Sequence, residues 1–493
     1  MPEARSEKDE VVRVNFDFRR ELAEKVEGNL ASFCYQCGAC VGDCPATTYS
    51  DEFNPREIML KVLYGLGEEL LVEDSILWQC TNCYNCHERC PQEVKPVEVI
   101  ISLKNMLADL GIFPDPVKKI IKTFETTGRT TPLSPAVDRQ RDRFGLPPLT
   151  VVPVDEIAKL IDESAGDETG QEAARAPEDH PITTARETEA KRYAFFPGCL
   201  IPVRYPGMEF AIRRTLANLG IEIVDLEGSS CCPDPIYFKS KDKMSWLAVA
   251  ARNLTLAEEL GLDIFTNCSG CTATLSEAYH LLRDGTLRAR VNQRLQRIGR
   301  EYRGTSRIRH IATLVRDVVG YDAVRESVKR PLEGLKVAIH YGCHLLKPSR
   351  VMEVDDPNNP SVLENLVIAL GATPVRHRNW YLCCGKACQT KQIPDNMMHD
   401  LLGAVKAEEA DLLCLICPTC FSQFDHGQAN IAKQFGEDLH TPSVYYFQLL
   451  AFAQGVPYDD LGFERQRFKP ECLRRFEDST CTAASGTESA SGA

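Results

Sequence analysis

No stretch of the 493-residue sequence approaches the roughly 18 consecutive apolar residues that a membrane-spanning helix needs, so no transmembrane segment is expected. The N-terminus, MPEARSEKDEVVRV, has neither the apolar core nor the small-residue cleavage site of a secretory signal, and the expected compartment is the cytoplasm. Basic residues are in deficit. The 57 Lys and Arg stand against 70 Asp and Glu, a formal net charge of -13, which excludes the broad basic footprint that nucleic-acid binding requires. Any anionic substrate must therefore meet a local basic pocket. Composition is otherwise that of a globular protein, and the length is too great for one core, so several domains are expected.

Cysteine is what the sequence has in excess. Twenty-two cysteines in a chain with no export signal argue against a disulfide framework, because cytosolic reductants keep thiols reduced and clustered cysteines there bind metal or do catalysis. Their spacing separates them into two kinds of group.

Residues 12–33 carry apolar side chains at helical spacing and predict one helix leading into the first cysteine run. Further on, Asn54 reads as the cap of a helix opened by Pro55, with Leu60, Leu63 and Leu66 on its apolar face and a break at Gly65 and Gly67. The first domain, 12–130, is thus expected to be all-α. From about 160 to 192 the composition turns polar and acidic, and 131–192 reads as a partly disordered linker. Beyond it, strand-like runs at 192–198, 221–226, 263–268, 336–342 and 411–417 alternate with helical stretches at 207–220 and 246–261, which predicts α/β domains with largely parallel sheets. Residues 193–275 and 336–424 repeat one order of elements and cysteines, so two pseudo-symmetric α/β lobes are expected, at 193–330 and 331–465. The small, polar tail 477–493 is expected to be disordered, with Cys481 a bystander.

Cys34, Cys37, Cys40 and Cys44, followed by Pro45, spell C-x2-C-x2-C-x3-C-P; Cys80, Cys83, Cys86, Cys90 and Pro91 repeat it. Three thiolates on one tight loop grip three corners of a [4Fe-4S] cubane, while the fourth reaches the other cluster. The expected sets are Cys34, Cys37, Cys40 and Cys90 for one cluster, and Cys80, Cys83, Cys86 and Cys44 for the second. Structural zinc uses two spaced pairs of ligands, a form neither run has. His87, inside the second run, reads as an exposed spacer.

The repeats carry the second kind. Cys199 precedes Cys231-Cys232 by 31 residues, and Cys268-x-x-Cys271 follows after 35; Cys343 precedes Cys383-Cys384 by 39, and Cys417-x-x-Cys420 follows after 32. Five thiols exceed the needs of one cubane or one zinc. Buried free thiols, a common fate of single cysteines, do not explain a repeated order of five; Cys414 and Cys472 fit that description better.

The phrases FFPGCLIPVRYPGMEFA, CCPDP, NCSGC, HYGCHLLKPSR, LCCG and CPTCFSQFDHGQ resemble the CCG domain family and the B-type subunits of heterodisulfide reductases, while CYQCGACVGDCP and LWQCTNCYNCHERCP resemble the C-type subunits. The resemblance covers about 20–130 and 190–455, as though a C-type subunit were fused to a B-type one. It implies that Cys199, Cys231, Cys232, Cys268 and Cys271 hold one noncubane [4Fe-4S] cluster and that Cys343, Cys383, Cys384, Cys417 and Cys420 hold another. These would be the catalytic cysteines that cleave the coenzyme M–coenzyme B disulfide, fed by the two cubane clusters. The second repeat reads CCGKACQTK where the family has more glycines, leaving open whether Cys388 replaces or crowds a ligand.

The resemblance further implies a methanogenesis-type, electron-bifurcating complex whose donor is a flavin- and iron-sulfur-containing A-type subunit, supplied by a hydrogenase or formate dehydrogenase module. Competing readings are the iron-sulfur subunit of a thiol:fumarate, glycolate or glycerol-3-phosphate oxidoreductase, a membrane-associated D-type subunit with a cytochrome b partner, and a pure electron relay. For a substrate bearing sulfonate, carboxylate and phosphate, Arg204, Lys239, Lys347 and Arg350 are candidate cations, although solvated surface charge is the better reading of any one of them. His340 and His344 read either as proton donors to a departing thiolate or as structural histidines. Trp78 and Trp246 read either as shields of iron from water or as core aromatics.

Overall fold

Eight short strands form two separate sheets in the computed structural model, which describes residues 13–25, 27–162 and 191–477. The expectations for 163–190 and 478–493, including Cys481, lie outside the described residues. Strands β1 (Arg192–Phe196), β2 (Glu222–Asp225), β3 (Ile264–Thr266) and β4 (Ile308–His310) are parallel in the order β2-β1-β3-β4. Strands β5 (Lys336–His340), β6 (Thr373–Val375), β7 (Leu412–Leu415) and β8 (Ser443–Tyr445) are parallel in the order β6-β5-β7-β8. Apolar runs such as YAFF and LLCL suit strands covered by helices on both sides. One apolar core spans both sheets. In it Phe265 of β3 meets Phe447 edge-on at 6.2 Å, and the helices Pro206–Asn218 and Tyr446–Ala453 pack across the two lobes.

Every described element before residue 192 is helical. Asn54 caps Pro55–Leu63 as expected, its side-chain oxygen accepting from the N–H groups of Arg56 and Glu57. The buried face of that helix, however, is Ile58, Met59 and Val62, with Leu60, Leu63 and Leu66 only half-buried. The single helix expected over 12–33 is a short helix, Phe18–Ala23, and a 3-10 turn, Gly28–Phe33. Glu27 takes a left-handed φ of 63° between them, which an α-helix does not accommodate. The front of the expected linker is also structured. Val137–Arg143 and Val154–Ile161 are helices, and Ile157 and Leu160 enter the core of the first lobe.

The helical region is fastened to the first lobe by buried charge. Glu98 on helix Pro96–Asp109 accepts from Lys239 at 3.0 Å and from Lys243 at 2.5 Å; Lys239 also bonds Glu277 and Tyr84, and Lys243 bonds Glu27. Burial by itself raises a carboxyl, but the two ammoniums override it and hold Glu98 well below the usual carboxylate range.

Candidate iron-sulfur centres

The two ferredoxin-type loops have one conformation. Gln36 and Gly38 in the first, and Asn82 and Tyr84 in the second, all adopt left-handed φ, which turns successive N–H groups inward toward sulfur. Gln36 Nε2 and the Asn82 N–H each lie 3.4 Å from a cysteine Sγ, those of Cys34 and Cys80. The sulfurs sort across the runs. Burial first, and then the negative charges of Cys34, Cys90 and Cys37, push the Cys40 thiol up to about 11. Cys86 is pushed up by burial and then by Cys80, Cys83, Cys44 and Cys40. Sulfurs that raise one another's proton affinity in this way form a site completed by cationic iron, so the donor sets fit two four-iron clusters. The first is the outer one, with Cys37 exposed; in the second, Cys80 and Cys83 are buried.

The repeats place their cysteines alike. Cys199 and Cys343 follow β1 and β5 after glycines of left-handed φ, 71° at Gly198 and 72° at Gly342. Cys268 and Cys417 cap the helices Ser269–Leu281 and Pro418–Phe435, whose positive ends favour thiolate. Sγ atoms converge: Cys199 and Cys231 at 3.5 Å, Cys343 and Cys383 at 3.7 Å, Cys384 and Cys420 at 3.4 Å, with Cys232 hydrogen-bonded to Cys271. The two groups of five also meet, because Cys268 contacts Cys417. These are donor-rich, buried sites of soft ligands, fitting iron-sulfur clusters.

Gly342 shows how tight the packing is: a Cβ there would lie 3.2 Å from the Cys420 sulfur, in a backbone region that L residues avoid. Gly342→Ala is expected to cost about 1–3 kcal/mol and to lower iron in the second group while the ferredoxin-type loops keep theirs. Iron counting with spectroscopy of each centre checks it.

The second ferredoxin-type loop docks on the second lobe. His344 Nε2 lies 2.9 Å from the Asn82 carbonyl, Lys347 Nζ donates to Asn85 Oδ1 at 2.6 Å, and the Gln389 N–H donates to the Trp78 carbonyl at 3.1 Å. Cys80, Cys83, Cys343, Cys383 and Cys388 share one buried cluster, and Cys83 is pushed up to about 12 by burial and then by Cys44 and Cys343. Burial lowers the His344 pKa, but contact with the Cys343 thiolate outweighs it and raises it to about 9. His340 contacts Cys384 and packs edge-on against Phe424 at 5.1 Å.

A cavity of about 230 Å³ opens on the second group, lined by Cys343, Cys383, Cys384, Cys417 and Cys420 with Ile236, Tyr237 and Thr130. Asp234, which the sequence did not single out, also lines it, with Oδ2 buried and unpartnered. Thr130, equally unmarked in the sequence, lies 3.1 Å from the Cys199 sulfur and also lines a second cavity of about 550 Å³ that carries Arg204, Arg465 and His426. Of the four candidate cations, Arg204 faces the cavity that shares Thr130 with the one opening on the second group, while Arg350 lines a separate cavity of about 410 Å³ that carries no cysteine. Lys239 is locked in the buried charge network, Lys347 is buried against Asn85, and Arg350 is 80% exposed and paired with Glu93, because each found a protein partner first. His87 is half-buried, with its ring 5.9 Å from that of Tyr84, rather than exposed. Trp246 is core, beneath Lys239 at 5.0 Å. Cys414 is buried within β7, and Cys472 is half-buried beside the Asp411 carbonyl.

A helical two-loop cysteine region joined to paired α/β domains with merging cysteine groups defines an iron-sulfur oxidoreductase subunit. Residues 30–94 match the 4Fe-4S dicluster domain, and 193–276 and 337–425 match the cysteine-rich domain family. The B-type subunit of the ferredoxin/F(420)H(2)-dependent CoB-CoM heterodisulfide reductase of Methanosarcina acetivorans is 39% identical over 279 residues, 56% of this chain and 93% of that protein. The C-type subunit of the H(2):CoB-CoM heterodisulfide,ferredoxin reductase of Methanothermobacter marburgensis is 35% identical over 159 residues, 30% of this chain and 84% of that protein. The chain therefore belongs to the heterodisulfide reductase family, with a C-type and a B-type portion in one polypeptide. The 8-methylmenaquinol:fumarate reductase membrane anchor subunit of Wolinella succinogenes is 31% identical over 274 residues, 55% of this chain and 95% of that protein. A crystal structure of a hypothetical protein from Helicobacter pylori shares the fold, with a TM-score of 0.55 over 92% of this chain and 76% of that one at 13% identity. Among the described residues no helix is long and apolar enough to cross a membrane.

Proposed function

We propose that this chain is the disulfide-reducing subunit of a cytoplasmic heterodisulfide reductase complex. The observation that carries the reading is the meeting of the two five-cysteine groups at Cys268 and Cys417, beside a cavity lined by the second group. In this reading Cys34, Cys37, Cys40 and Cys90 hold the distal cubane cluster and Cys44, Cys80, Cys83 and Cys86 the proximal one. Cys199, Cys231, Cys232, Cys268 and Cys271, and Cys343, Cys383, Cys384, Cys417 and Cys420, hold two noncubane [4Fe-4S] clusters in a duplicated, pseudo-symmetric pair of lobes. When bound, these clusters supply electrons singly and offer iron to a substrate sulfur.

The chain's own residues supply the rest. The 230 Å³ cavity keeps the sulfur end of a small disulfide among apolar and thiol groups, and Arg204, Arg465 and His426 give the neighbouring cavity the cations that the anionic arms of the coenzyme M–coenzyme B disulfide need. The hydrogen bond to the Asn82 carbonyl holds the His344 ring against Cys343, within reach of a departing thiolate.

Electrons enter at the outer loop, where Cys37 is exposed and follows closely on the exposed Phe33 (62%) and Tyr35 (74%). Exposed aromatics beside a redox centre suit a protein donor, here an A-type flavin subunit fed by a hydrogenase or formate dehydrogenase module in a bifurcating complex. Tyr35→Asp is expected to slow reduction by that partner roughly tenfold while reduction by a viologen is unchanged, as stopped-flow absorbance of the clusters would show.

The test of the whole reading is anaerobic purification, iron counting and reduced-viologen-driven cleavage of the coenzyme M–coenzyme B disulfide. About 16 iron atoms with cleavage supports it; full iron without cleavage removes it. The Wolinella relative supports a second reading, in which the same centres serve a quinol-linked fumarate reductase; menaquinol-dependent reduction of the clusters in place of disulfide cleavage would select it.

A further inference from the structure

Four lysines are nearly inaccessible: Lys239 (0% exposed), Lys243 (1%), Lys104 (2%) and Lys347 (3%). Three of them have oxygen partners, the carboxylates of the charge network for Lys239 and Lys243 and the Asn85 amide for Lys347. Lys104, on helix Pro96–Asp109, has no carboxylate and no hydrogen-bond acceptor among the described residues. Its ammonium lies over the Trp78 ring at 5.0 Å, and Cys80 and Cys388 are close enough to act on it electrostatically. A ring face offsets only part of the cost of burying a cation, so the compensating charge must come from sulfur. Burial lowers the Lys104 pKa, and those two sulfurs are the groups that raise it again.

The place matters as much as the charge. Trp78 precedes Cys80 by two residues, and its carbonyl accepts from Gln389 of the second lobe, one residue beyond Cys388. Lys104 therefore stands at the seam between the proximal ferredoxin-type loop and the second cysteine-rich domain, with 2% of its surface exposed. There a fixed charge is screened much less than one at the surface. Adding one electron to an iron-sulfur cluster adds one negative charge, and a buried cation alongside stabilises the reduced form more than the oxidised.

We infer that Lys104 is a positioning residue for electron transfer: its buried positive charge beside Cys80 raises the reduction potential of the proximal cluster, making it the point where electrons collect before crossing to the second lobe. This rests on the assignment of Cys44, Cys80, Cys83 and Cys86 to one [4Fe-4S] cluster.

The test is an anaerobic redox titration of the full chain followed by electron paramagnetic resonance, comparing Lys104→Met and Lys104→Gln with the charge-retaining Lys104→Arg. At the ambient potential that half-reduces the wild-type proximal cluster, the neutral variants are expected to lower its reduced-to-oxidised ratio about tenfold, a shift of about 59 mV for a one-electron couple. Lys104→Arg stays within about threefold of wild type, the distal signal does not move, and all variants keep wild-type iron. An unchanged ratio in a neutral variant with full iron overturns the inference. So does an equal shift in Lys104→Arg, which would make shape rather than charge responsible. Loss of iron from both neutral variants also overturns it, by giving the charge a role in cluster assembly. Absence of the two-cluster signal from the wild-type chain removes the cluster assignment itself, whereas an intact signal that does not shift removes this inference alone.

Discussion

Replacing Glu98 with alanine is expected to destabilise the protein by about 3–5 kcal/mol, the largest loss of stability from any single substitution away from the cysteines. Glu98 is 2% exposed and is the one carboxylate bonded to both Lys239 and Lys243. Glu277 and Glu27 remain after its removal, each bonded to one lysine, but two ammoniums would then share less negative charge in a space that excludes water. The penalty is the desolvation of charge no longer compensated, not the loss of a favourable bond: an apolar replacement of the whole network is compatible with full stability, while removal of one member is not. Because the network joins the helical region to the first lobe, the expected first event is separation of those two parts. Chemical denaturation followed by tryptophan fluorescence, with Trp246 beneath Lys239, reads it directly. A loss below about 1 kcal/mol, the range of exposed pairs, would show that the network is hydrated in solution.

Changing Cys417 to serine is expected to abolish disulfide cleavage while leaving the helical region redox-active. Cys417 belongs to the second group of five and contacts Cys268 of the first, so it is a sulfur at which the two groups meet. Loss of one cluster's worth of iron, about four atoms of about sixteen, with viologen still reducing the ferredoxin-type centres, is the result the reading requires. Cleavage that survives at wild-type rate would place the reaction elsewhere. Because the N-terminal position of Cys417 on a long helix already favours thiolate, serine, a poor anion, cannot take its place.

Much of this was legible in the sequence for a simple reason: ligands within one loop are neighbours in the chain as well as in space. The runs at 34–44 and 80–90, and the repeated order of five, announced their sulfur sites from spacing alone. Strands β1, β2, β3, β5 and β7 were readable as apolar runs before or between cysteines, while β4, β6 and β8 were not. Those three are edge strands of three residues each, too short to show a period. The helix expected over 12–33 failed at Glu27, where local propensity gives no sign of a left-handed residue. Nor could spacing reveal partners far apart in the chain. Lys239 lies 141 residues from Glu98, and nothing in the residues near Cys231 marks it as an interface cation rather than a substrate contact. Thr130 and Asp234 were missed for the same reason, being polar residues that acquire meaning only when a distant sulfur group folds against them.

The docking of the second ferredoxin-type loop has a consequence for the duplicated lobes. Across that interface the sulfur facing Cys83 is Cys343, in the second copy, and the two cysteine groups meet at Cys268 and Cys417. On the proposed reading the repeat is ordered in time: charge delivered from the N-terminal region would reach residues 337–425 before 193–276. Damage to the second copy would then silence both, whereas damage to the first would leave an upstream half that can still be charged, placing the two copies, alike in sequence pattern, under unequal constraint.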